Sequence, residues 1–454
     1  MARRLPTGGG RPPLLKTLRG LLGEKNTVDE AYGRELRQLR QQRASATEDE
    51  DLESTSIPPR FETVRRGTSV ELFDFQADLV ELITKLVSDS RADRVGLVSL
   101  PTGAGKTRTA CTACLRLLAS GKVSRVLWVA PSNELLAQAI SAFKLISTQG
   151  EGPDTFIAAR FIGAGASEPD GPIVFFATSQ LLASRVKSGA ENLPRLDLLV
   201  FDEAHYALAP SYRRAVSSLR KAGVALVGLT ATPGRVGEEE TEGLTDLFNN
   251  RLLISQRLGR RPIESLREKG ILSSVVFRRI NFDGSGPGTF LSRRHRRTLP
   301  IDQLSSHPGR FAATLGAIVD IPRDERAIVF AGSLEHAAAL ATGLRAHDIS
   351  VGVVSGYQEP IVRSRILQSF QEGHIRVLLN KSVLIAGYDC PATRHVFLTV
   401  PVSSAIAFEQ MVGRASRGPL VGGNSESYVW QLDDMLALHG KPSSYTRYHG
   451  NSWF

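Results

Sequence analysis

The segment from Leu100 to Thr107 has the composition of a phosphate-binding loop. It lies between a strand-like apolar run and a helix-compatible run, and its glycines allow backbone N–H groups and a helix N-terminus to face an anion. Lys106 is expected to neutralise phosphate charge, and the Thr107 hydroxyl to ligate Mg²⁺. The strict G-x-x-x-x-G-K-[ST] pattern is not met, because its first position is Leu100. The residues expected to contact a nucleotide are Thr102, Gly103, Ala104, Gly105, Lys106 and Thr107.

An acidic pair, Asp202 and Glu203, supplies the second half of this chemistry. The pair follows the apolar run 198–201, which is typical of a buried strand, and α/β proteins bind ligands at the carboxyl ends of parallel strands. Asp202 is expected to hold Mg²⁺, and Glu203 to orient and deprotonate an attacking water. A nucleotide bound with Mg²⁺ is therefore expected, and Lys106, Asp202 and Glu203 are candidate catalytic residues.

Short β-rich runs alternate with helix-period segments over residues 68–250, and a second series of the same kind starts near residue 311. Such alternation predicts βαβ units and a parallel sheet covered on both faces in each series. The expected strands are 95–100, 126–130, 173–177, 198–201 and 224–229, followed by 327–330, 351–354, 377–379, 395–399 and 428–432. The expected fold class is α/β, with two tandem parallel-sheet domains.

Four regions follow from this pattern. The first parallel-sheet domain is expected over 61–250 and the second over 311–454, joined by a polar, basic connector over 251–310. Residues 1–60 change from basic to acidic and predict a partly disordered arm that contains one helix. Two interpretations of this arm stay open: a solvated tail, or a segment (residues 1–55) that docks on a protein partner or on nucleic acid.

Composition excludes several classes of protein. The 454 residues are 42% hydrophobic and 22% charged, which is ordinary for packed globular domains. No apolar run approaches the roughly 18 residues of a membrane helix, and the N-terminus lacks the apolar core of a signal peptide, so no membrane association is expected. Three cysteines argue against a disulfide scaffold and favour the reducing cytoplasm. The formal net charge of +10 modestly favours a polyanionic partner.

The order of these segments resembles that of the superfamily 2 helicase-type ATPases over residues 68–435. Asp202 to His205 is a DEAH form of motif II, and Gln76 resembles the glutamine that lies upstream of the phosphate loop. The other matching segments are 131–138 for motif Ia, 178–182 for the next backbone-contacting segment, 230–233 for motif III, 329–333 for motif IV, 387–391 for motif V and 410–418 for motif VI. The resemblance implies two RecA-like domains with a nucleotide cleft between them.

The resemblance also implies roles around the nucleotide. Gln76 would read the adenine edge, and Gly387 and Asp389 of motif V would line the nucleotide. The residues that would couple the ATP site to the bound strand are His205, Thr230 and Thr232.

Motif VI would complete the hydrolytic site with Gln410, Arg414 and Arg417. A loose phosphoryl-transfer transition state spreads negative charge over the γ-phosphate oxygens, and arginine guanidinium groups stabilise that charge. Because these arginines belong to the second predicted domain, the resemblance implies that hydrolysis is linked to domain movement.

Nucleic-acid contacts are implied by two groups of residues. The first group shares the motif positions that touch the nucleic-acid backbone and consists of Ser132, Asn133, Thr178, Gln180 and Ser333. Asn133 departs from the family pattern, which usually has Arg or Lys at that position. The second group is the basic cluster of the connector, Arg293, Arg294, Arg296 and Arg297. Each of these arginines would add sequence-independent affinity for phosphates; a solvated basic loop is the alternative.

The branch of the superfamily is indicated by residues 263–272 and 418–424, which resemble XPB-type helicases and the motor subunits of type I and III restriction enzymes. Members of that branch generally act on duplex DNA. The resemblance therefore implies an ATP-dependent helicase or translocase on duplex DNA, in DNA repair, restriction or anti-phage defence. Two alternatives stay open: an RNA helicase of the same superfamily, and an ATP-gated nucleic-acid sensor that recruits an effector without unwinding.

The pair Cys111 and Cys114 has the C-x-x-C spacing of some metal sites. It falls in the helix-compatible run after the phosphate loop, and no second pair completes a zinc site. Packing of two small apolar side chains against the sheet is the favoured interpretation.

Overall fold

The structure is a computed structural model of the chain. It describes residues 13–23, 26–46, 61–65, 71–89, 93–161, 170–188, 193–233, 238–282, 301–381, 383–384, 388–402 and 404–432. These residues form two compact units, and none of their helices is both long and apolar enough to cross a membrane. The arginine cluster of the connector and Gly387 lie outside the described residues.

The chain opens with two helices, α1 (Pro13–Leu22) and α2 (Asn26–Ala46), which belong to the second unit. The first unit follows, within residues 61–272. Its elements are β1 (Phe61–Arg65), α3 (Asp74–Ser88), β2 (Val95–Ser99), α4 (Lys106–Ala119), β3 (Arg125–Ala130), α5 (Asn133–Thr148), β4 (Thr155–Arg160), β5 (Ile173–Thr178), α6 (Ser179–Lys187), β6 (Leu198–Phe201), α7 (Pro210–Lys221), β7 (Ala225–Thr230), α8 (Glu238–Leu247), β8 (Leu252–Leu253) and α9 (Pro262–Glu268).

The first unit is built on an eight-stranded sheet with strand order β1-β4-β5-β3-β6-β7-β2-β8. β1 pairs antiparallel with β4, and the other pairs are parallel. Every residue of β2, β6 and β7 is buried, as expected for parallel strands with helices on both faces of the sheet. The carboxyl ends of the central strands therefore meet at one edge, where the phosphate loop and the acidic pair follow β2 and β6.

The second unit continues from residue 273. Its elements are β9 (Ser274–Ile280), α10 (Ile301–Ser305), α11 (Pro308–Val319), β10 (Arg326–Phe330), α12 (Leu334–Ala346), β11 (Val351–Ser355), α13 (Pro360–Glu372), β12 (Val377–Lys381), β13 (Thr393–Leu398), α14 (Ala405–Val412) and β14 (Glu426–Leu432). They surround a six-stranded, fully parallel sheet with strand order β11-β12-β10-β13-β14-β9. The predicted α/β class and the two parallel-sheet domains are thus confirmed, and each predicted strand lies within two residues of an observed one.

The connector is divided differently from the prediction. β8 pairs with β2 and belongs to the first sheet, whereas β9 pairs with β14 along its whole length, from Ser274 beside Glu426 to Ile280 beside Leu432. β9 is an edge strand with exposed polar residues, so it lacks the continuous apolar run that identified the central strands.

The described part of the N-terminal arm contains two packed helices where the sequence predicted one. α1 and α2 bury an apolar side in the core of the second unit, together with residues of α11 and α12. The buried residues are Leu14, Leu15, Leu18, Val28, Tyr32, Leu36 and Leu39. The core positions of α2 recur at helical spacing, but the residues between them are mostly polar or charged, including several arginines and glutamines. The segment as a whole therefore has the composition of a solvated arm. Residues 1–12 and 47–60 lie outside the described part of the chain.

Candidate active site

The phosphate loop connects β2 to α4 and is shaped by two glycines with left-handed backbone conformations, Gly103 (φ +95°) and Gly105 (φ +86°). The Ala104 N–H donates to the Pro101 carbonyl over 3.1 Å, which closes the turn. α4 begins at Lys106, immediately after the second glycine. The loop therefore presents the N-terminus of an α-helix and Lys106 together, an arrangement that suits an anion.

Gln76 holds this loop against α3. Its buried Nε2 donates to the Ala104 carbonyl over 3.0 Å, and its Oε1 accepts from the Phe73 N–H over 3.2 Å. A Cβ on Gly105 would lie 2.5 Å from Gln76 Nε2, so a larger residue would collide with the amide as well as strain the backbone. The upstream glutamine is therefore part of the same local assembly as the phosphate loop.

The acidic pair follows the end of β6. The Asp202 N–H donates to the Val129 carbonyl of β3 over 2.8 Å, and the Glu203 N–H donates to Asp202 Oδ1 over 2.9 Å. Glu203 has φ +49° and ψ +55°, a left-handed conformation that is unusual for a residue with a side chain. Such strained positions concentrate at functional sites, where the surrounding structure holds them in place.

Burial and neighbouring charge perturb Asp202. Burial raises the pKa of its carboxyl to about 7, the negative charge of Glu203 adds to the rise, and the Lys106 ammonium opposes it. A buried carboxylate with this pKa is stabilised by a divalent cation, and Thr107 provides a hydroxyl oxygen on the first turn of α4. The donor set thus fits a Mg²⁺–nucleotide complex.

The segments that resemble motifs II and III lie close to this carboxylate pair. His205 Nδ1 is 3.4 Å from Glu203 Oε2, and both side chains are almost fully buried. At the end of β7, the buried Thr230 hydroxyl donates to the Thr232 carbonyl and accepts from the Thr232 N–H, both over 3.0 Å. The Thr230 carbonyl also accepts from the Leu100 N–H over 3.2 Å, which joins this turn to the start of the phosphate loop.

Three residues predicted to contact the nucleic-acid backbone are helix N-caps. Ser132 accepts from the Leu135 N–H at the start of α5, and Thr178 accepts from the Leu181 N–H at the start of α6. Ser333 does the same for α12 by accepting from His336. Thr178 is the last residue of a parallel strand, and Ser132 and Ser333 follow the carboxyl ends of two others. The hydroxyl proton of each cap is still able to donate to a phosphate. The other two predicted contacts, Asn133 and Gln180, are exposed.

The motif VI residues lie in the second unit, with Gln410 in the last turn of α14 and Arg414 and Arg417 after the end of that helix. Gln410 is buried, and its backbone carbonyl accepts from Arg414 Nε over 3.2 Å. Arg417 Nε forms an ion pair with Asp389 Oδ1 over 2.9 Å. Asp389, which was predicted to line the nucleotide, therefore holds an arginine of motif VI in this structure.

The second unit also has a cavity of about 670 Å³ that no sequence pattern indicated. Its lining includes His395 of β13, Tyr428 and Trp430 of β14, and Glu325 before β10. The Trp430 indole N–H donates to His395 Nδ1 over 3.0 Å, while His395 Nε2 contacts the Glu325 carboxylate. These residues come from separate elements, so no local spacing in the sequence could have grouped them.

The two cysteines of the C-x-x-C segment are buried free thiols within α4. Burial raises the pKa of Cys114 to about 12, so the group is a neutral, buried thiol. Among the described residues, no cluster of His, Cys, Asp and Glu side chains has the grouping of a multi-ligand metal site.

Two family models match the chain. The model described as "Type III restriction enzyme, res subunit" matches residues 69–235, and the model described as "Helicase conserved C-terminal domain" matches residues 311–418. The first match contains the phosphate loop and the acidic pair, and the second contains the motif VI arginines.

Among curated proteins, this chain is similar to fungal proteins named ATP-dependent DNA helicase MPH1. It is 36% identical to the protein of Aspergillus fumigatus over 155 residues, which is 33% of this chain and 14% of that protein. It is 32% identical to the protein of Coccidioides immitis over 193 residues, which is 42% of this chain and 17% of that protein. The alignments therefore span less than a fifth of these relatives.

Three solved structures have a similar fold. The Type ISP restriction-modification enzyme LlaBIII bound to DNA matches with TM-score 0.57 and 17% identity, over 83% of this chain and 28% of that chain. A fragment of a putative HsdR subunit of a type I restriction enzyme from Vibrio vulnificus matches with TM-score 0.56 and 20% identity, over 81% and 67%. S. cerevisiae Dbp5 bound to RNA and ADP BeF3 matches with TM-score 0.53 and 14% identity, over 82% and 85%.

Proposed function

Since the chain belongs to the superfamily 2 helicases, in the branch of the restriction-enzyme motor subunits, we propose that it is an ATP-hydrolysing helicase or translocase that acts on duplex DNA. The observation that carries the proposal is the buried Asp202–Glu203 pair at the end of β6, which interacts with Lys106 at the start of α4. The names of the fungal relatives support DNA rather than RNA.

The residues of the first unit divide the work of hydrolysis. Lys106 and the N–H groups at the start of α4 bind the phosphates. Thr107 and Asp202 hold Mg²⁺, which neutralises phosphate charge when bound. Glu203 orients the attacking water and accepts its proton, and His205, 3.4 Å away, positions the Glu203 carboxylate.

The second unit contributes cationic charge. We assign Arg414 and Arg417 to stabilising the charge that develops on the transferred phosphoryl group, with Gln410 beside them on α14. The Arg414–Gln410 hydrogen bond and the Arg417–Asp389 ion pair restrict both guanidinium groups before substrate arrives. Restricting them in advance lowers the entropy that must be lost in the transition state.

Nucleic-acid contacts are proposed at the capped helix N-termini of both units. Ser132, Thr178 and Ser333 each place a hydroxyl donor at the N-terminus of a helix, and the two features together suit a phosphate oxygen. Contacts of this kind fix position without reading sequence, so affinity should depend strongly on salt. Three buried free thiols agree with work in a reducing compartment such as the cytoplasm.

The steady-state ATPase rate tests this function. The full chain is assayed with Mg²⁺ and ATP alone, then with duplex DNA, single-stranded DNA or RNA, beside Glu203→Gln. Stimulation by duplex DNA that is lost in the variant supports the proposal. Stimulation by RNA in excess of DNA would instead establish an RNA helicase, and ATP binding without hydrolysis under any condition would contradict an autonomous motor.

A further inference from the structure

Three neighbouring strands of the second sheet end at the same level on its carboxyl edge. Val354 of β11 pairs with Asn380 of β12, and Asn380 pairs in turn with Phe330 of β10. In the loops after β11 and β10, the third residue beyond these paired positions is Tyr357 and Ser333 respectively. Tyr357 therefore occupies in the β11 loop the place that Ser333, a proposed phosphate contact, occupies in the β10 loop.

The edge between these two loops is short and carries a cation. β12 lies between β11 and β10, so at about 4.8 Å per strand the two loops are about 10 Å apart. About three nucleotides span this distance at about 3.4 Å each. Lys381, the last residue of β12, ends at this edge and is only partly buried. A nucleic-acid strand that is bound at Ser333 and runs across β12 therefore passes Lys381 and reaches Tyr357.

Hydrogen bonds hold this edge in place. The buried Asn380 amide donates to the Val329 carbonyl of β10 over 3.1 Å. In the β11 loop, Gln358 is buried; its Oε1 accepts from the Ser355 N–H over 3.1 Å, and its Nε2 donates to the Val353 carbonyl over 2.9 Å. These bonds fix the backbone on either side of the tyrosine. A loop that is already ordered loses little entropy when a ligand binds.

Apolar surface is exposed where the β11 loop enters α13. Tyr357 is 38% exposed, and Ile361 in the first turn of α13 is 51% exposed. A Cβ on Gly356 would meet no atom within 4 Å, so the space beside the loop is open. An exposed aromatic ring at a nucleic-acid edge offers a face on which any base can stack.

The charges near this edge suit a polyanion. Residues 351–371 contain one acidic residue, Glu359, and two arginines, and Lys381 adds a third positive charge. Glu359 is exposed at the N-cap of α13 and is outnumbered by these cations. Glu335, close to Ser333 in the first turn of α12, is paired with Arg40 over 3.0 Å. The edge therefore has a net positive charge, which favours a phosphate backbone.

We infer that Tyr357 stacks on an unpaired base of a DNA strand whose phosphates lie at Lys381 and Ser333. The inference rests on the proposed function, because it needs a nucleic acid at this edge. Stacking on the ring requires a base that has left the duplex, since a paired base is already stacked on its neighbours. The second unit then holds one separated strand, which makes the chain a helicase rather than a translocase on intact duplex.

The affinity of the full chain for a fluorescent single-stranded DNA oligonucleotide, measured by anisotropy across a salt series, tests the inference. Tyr357→Ala should weaken binding by about 5- to 150-fold, the range for the loss of one base–aromatic stack. The slope of log K against log salt should not change, because no charge is removed. Tyr357→Phe keeps the ring and should bind as tightly as the wild type.

Two further variants separate stacking from charge and from general surface effects. Lys381→Gln should lower the slope by about 0.7, the value for one lost phosphate contact with a single strand. The matched control is Leu145→Ala, which removes a 57% exposed apolar side chain from α5 of the first unit. It should change neither the affinity nor the slope. Unchanged thermal unfolding temperatures show that the variants keep the fold.

Several results would overturn the inference. One is a Tyr357→Ala variant that binds the oligonucleotide as tightly as the wild type. Another is a Tyr357→Phe variant as weak as Tyr357→Ala, because the hydroxyl would then be the contact. An equal loss of affinity for a blunt duplex contradicts the inference too, since the bases of that ligand are paired. In each case, duplex-stimulated ATP hydrolysis by the wild type preserves the proposed function. A wild-type chain that binds no nucleic acid overturns both.

Discussion

Lowering the pH from 7.5 to 5 is expected to destabilise the second unit through His336. This residue lies in the first turn of α12, where its N–H donates to the Ser333 hydroxyl over 3.1 Å and its Nδ1 accepts from the Gly332 N–H over 3.4 Å. Burial, with a contribution from Arg310, lowers the pKa of His336 from 6.5 to about 3. The folded chain therefore keeps the imidazole neutral at a pH where the unfolded chain protonates it.

The sign and size follow from proton linkage. Because His336 has a lower pKa in the folded chain than in the unfolded chain, its contribution to the free energy of unfolding is fully present above pH 6.5. The free energy of unfolding falls as the pH drops from about 6.5 towards 3, since only the unfolded chain takes up the proton in that range. At pH 5, about 1.5 pH units below the unfolded pKa, protonation of the imidazole stabilises the unfolded chain. At about 1.4 kcal/mol per pH unit, this stabilisation is about 2 kcal/mol. His336→Asn keeps an acceptor near Gly332 but does not titrate, so it should escape this loss.

Hydrogen exchange of β10 and α12 amides at pH 7.5 and pH 5 gives the free energy of opening for this unit. The wild type should lose about 2 kcal/mol more than His336→Asn between the two pH values. His395 is present in the wild type and in the variant, so its contribution cancels in the comparison, and His347→Asn provides an exposed control at the opposite end of α12. Equal losses in the wild type and His336→Asn would refute the assignment of the acid sensitivity to His336.

Three further perturbations test the loop, the acid pair and the N-terminal helices. Gly105→Ala should abolish ATP binding, measured by calorimetry, because its Cβ would meet Gln76 and its φ of +86° is strained; Gln76→Ala should not restore it fully, since the strain persists. Glu203→Gln should bind ATP normally but hydrolyse it roughly a hundredfold more slowly or worse, in single-turnover assays. Leu18→Ala should destabilise the second unit by about 2–5 kcal/mol in urea unfolding while ATP affinity is unchanged; unaltered stability would contradict the docking of α1.

The sequence predicted the elements that are locally encoded. The central strands are recognisable in the sequence because a strand buried on both faces must be apolar throughout. The phosphate loop before Lys106 and the acidic pair at Asp202 are also recognisable, because each consists of neighbouring residues. The edge strands β1, β8 and β9 were missed, since short or half-exposed strands lack that run, and β4, which lies between β1 and β5, was missed as well. Residue 274 pairs with residue 426 through tertiary structure, which a local sequence pattern does not specify.

The N-terminal helices show the same limit from the opposite direction. Their composition is that of a solvated, charged segment. Only four buried apolar positions in α2 distinguish it from a solvated tail, because they pack the helix against the core of the second unit. Whether those positions are buried depends on residues of α11 and α12, roughly three hundred residues away in the chain. Deleting residues 1–55 would expose the core of the second unit. Substitutions on the outer side of α2 therefore test a partner-docking role of this segment better than the deletion does.

The N-cap residues pose a question that alanine substitution alone does not answer, because the same hydroxyl starts a helix and is proposed to hold a phosphate. Ser132→Ala removes the cap of α5 and should reduce stability by about 1 kcal/mol, whatever its effect on binding. Ser132→Asp keeps the cap, since Asp is an equally good N-cap, but it places a negative charge against the backbone phosphates. Near wild-type stability with weakened DNA binding in Ser132→Asp would separate the two roles. If Ser132→Asp binds duplex DNA as tightly as the wild type, Ser132 caps α5 and does no more.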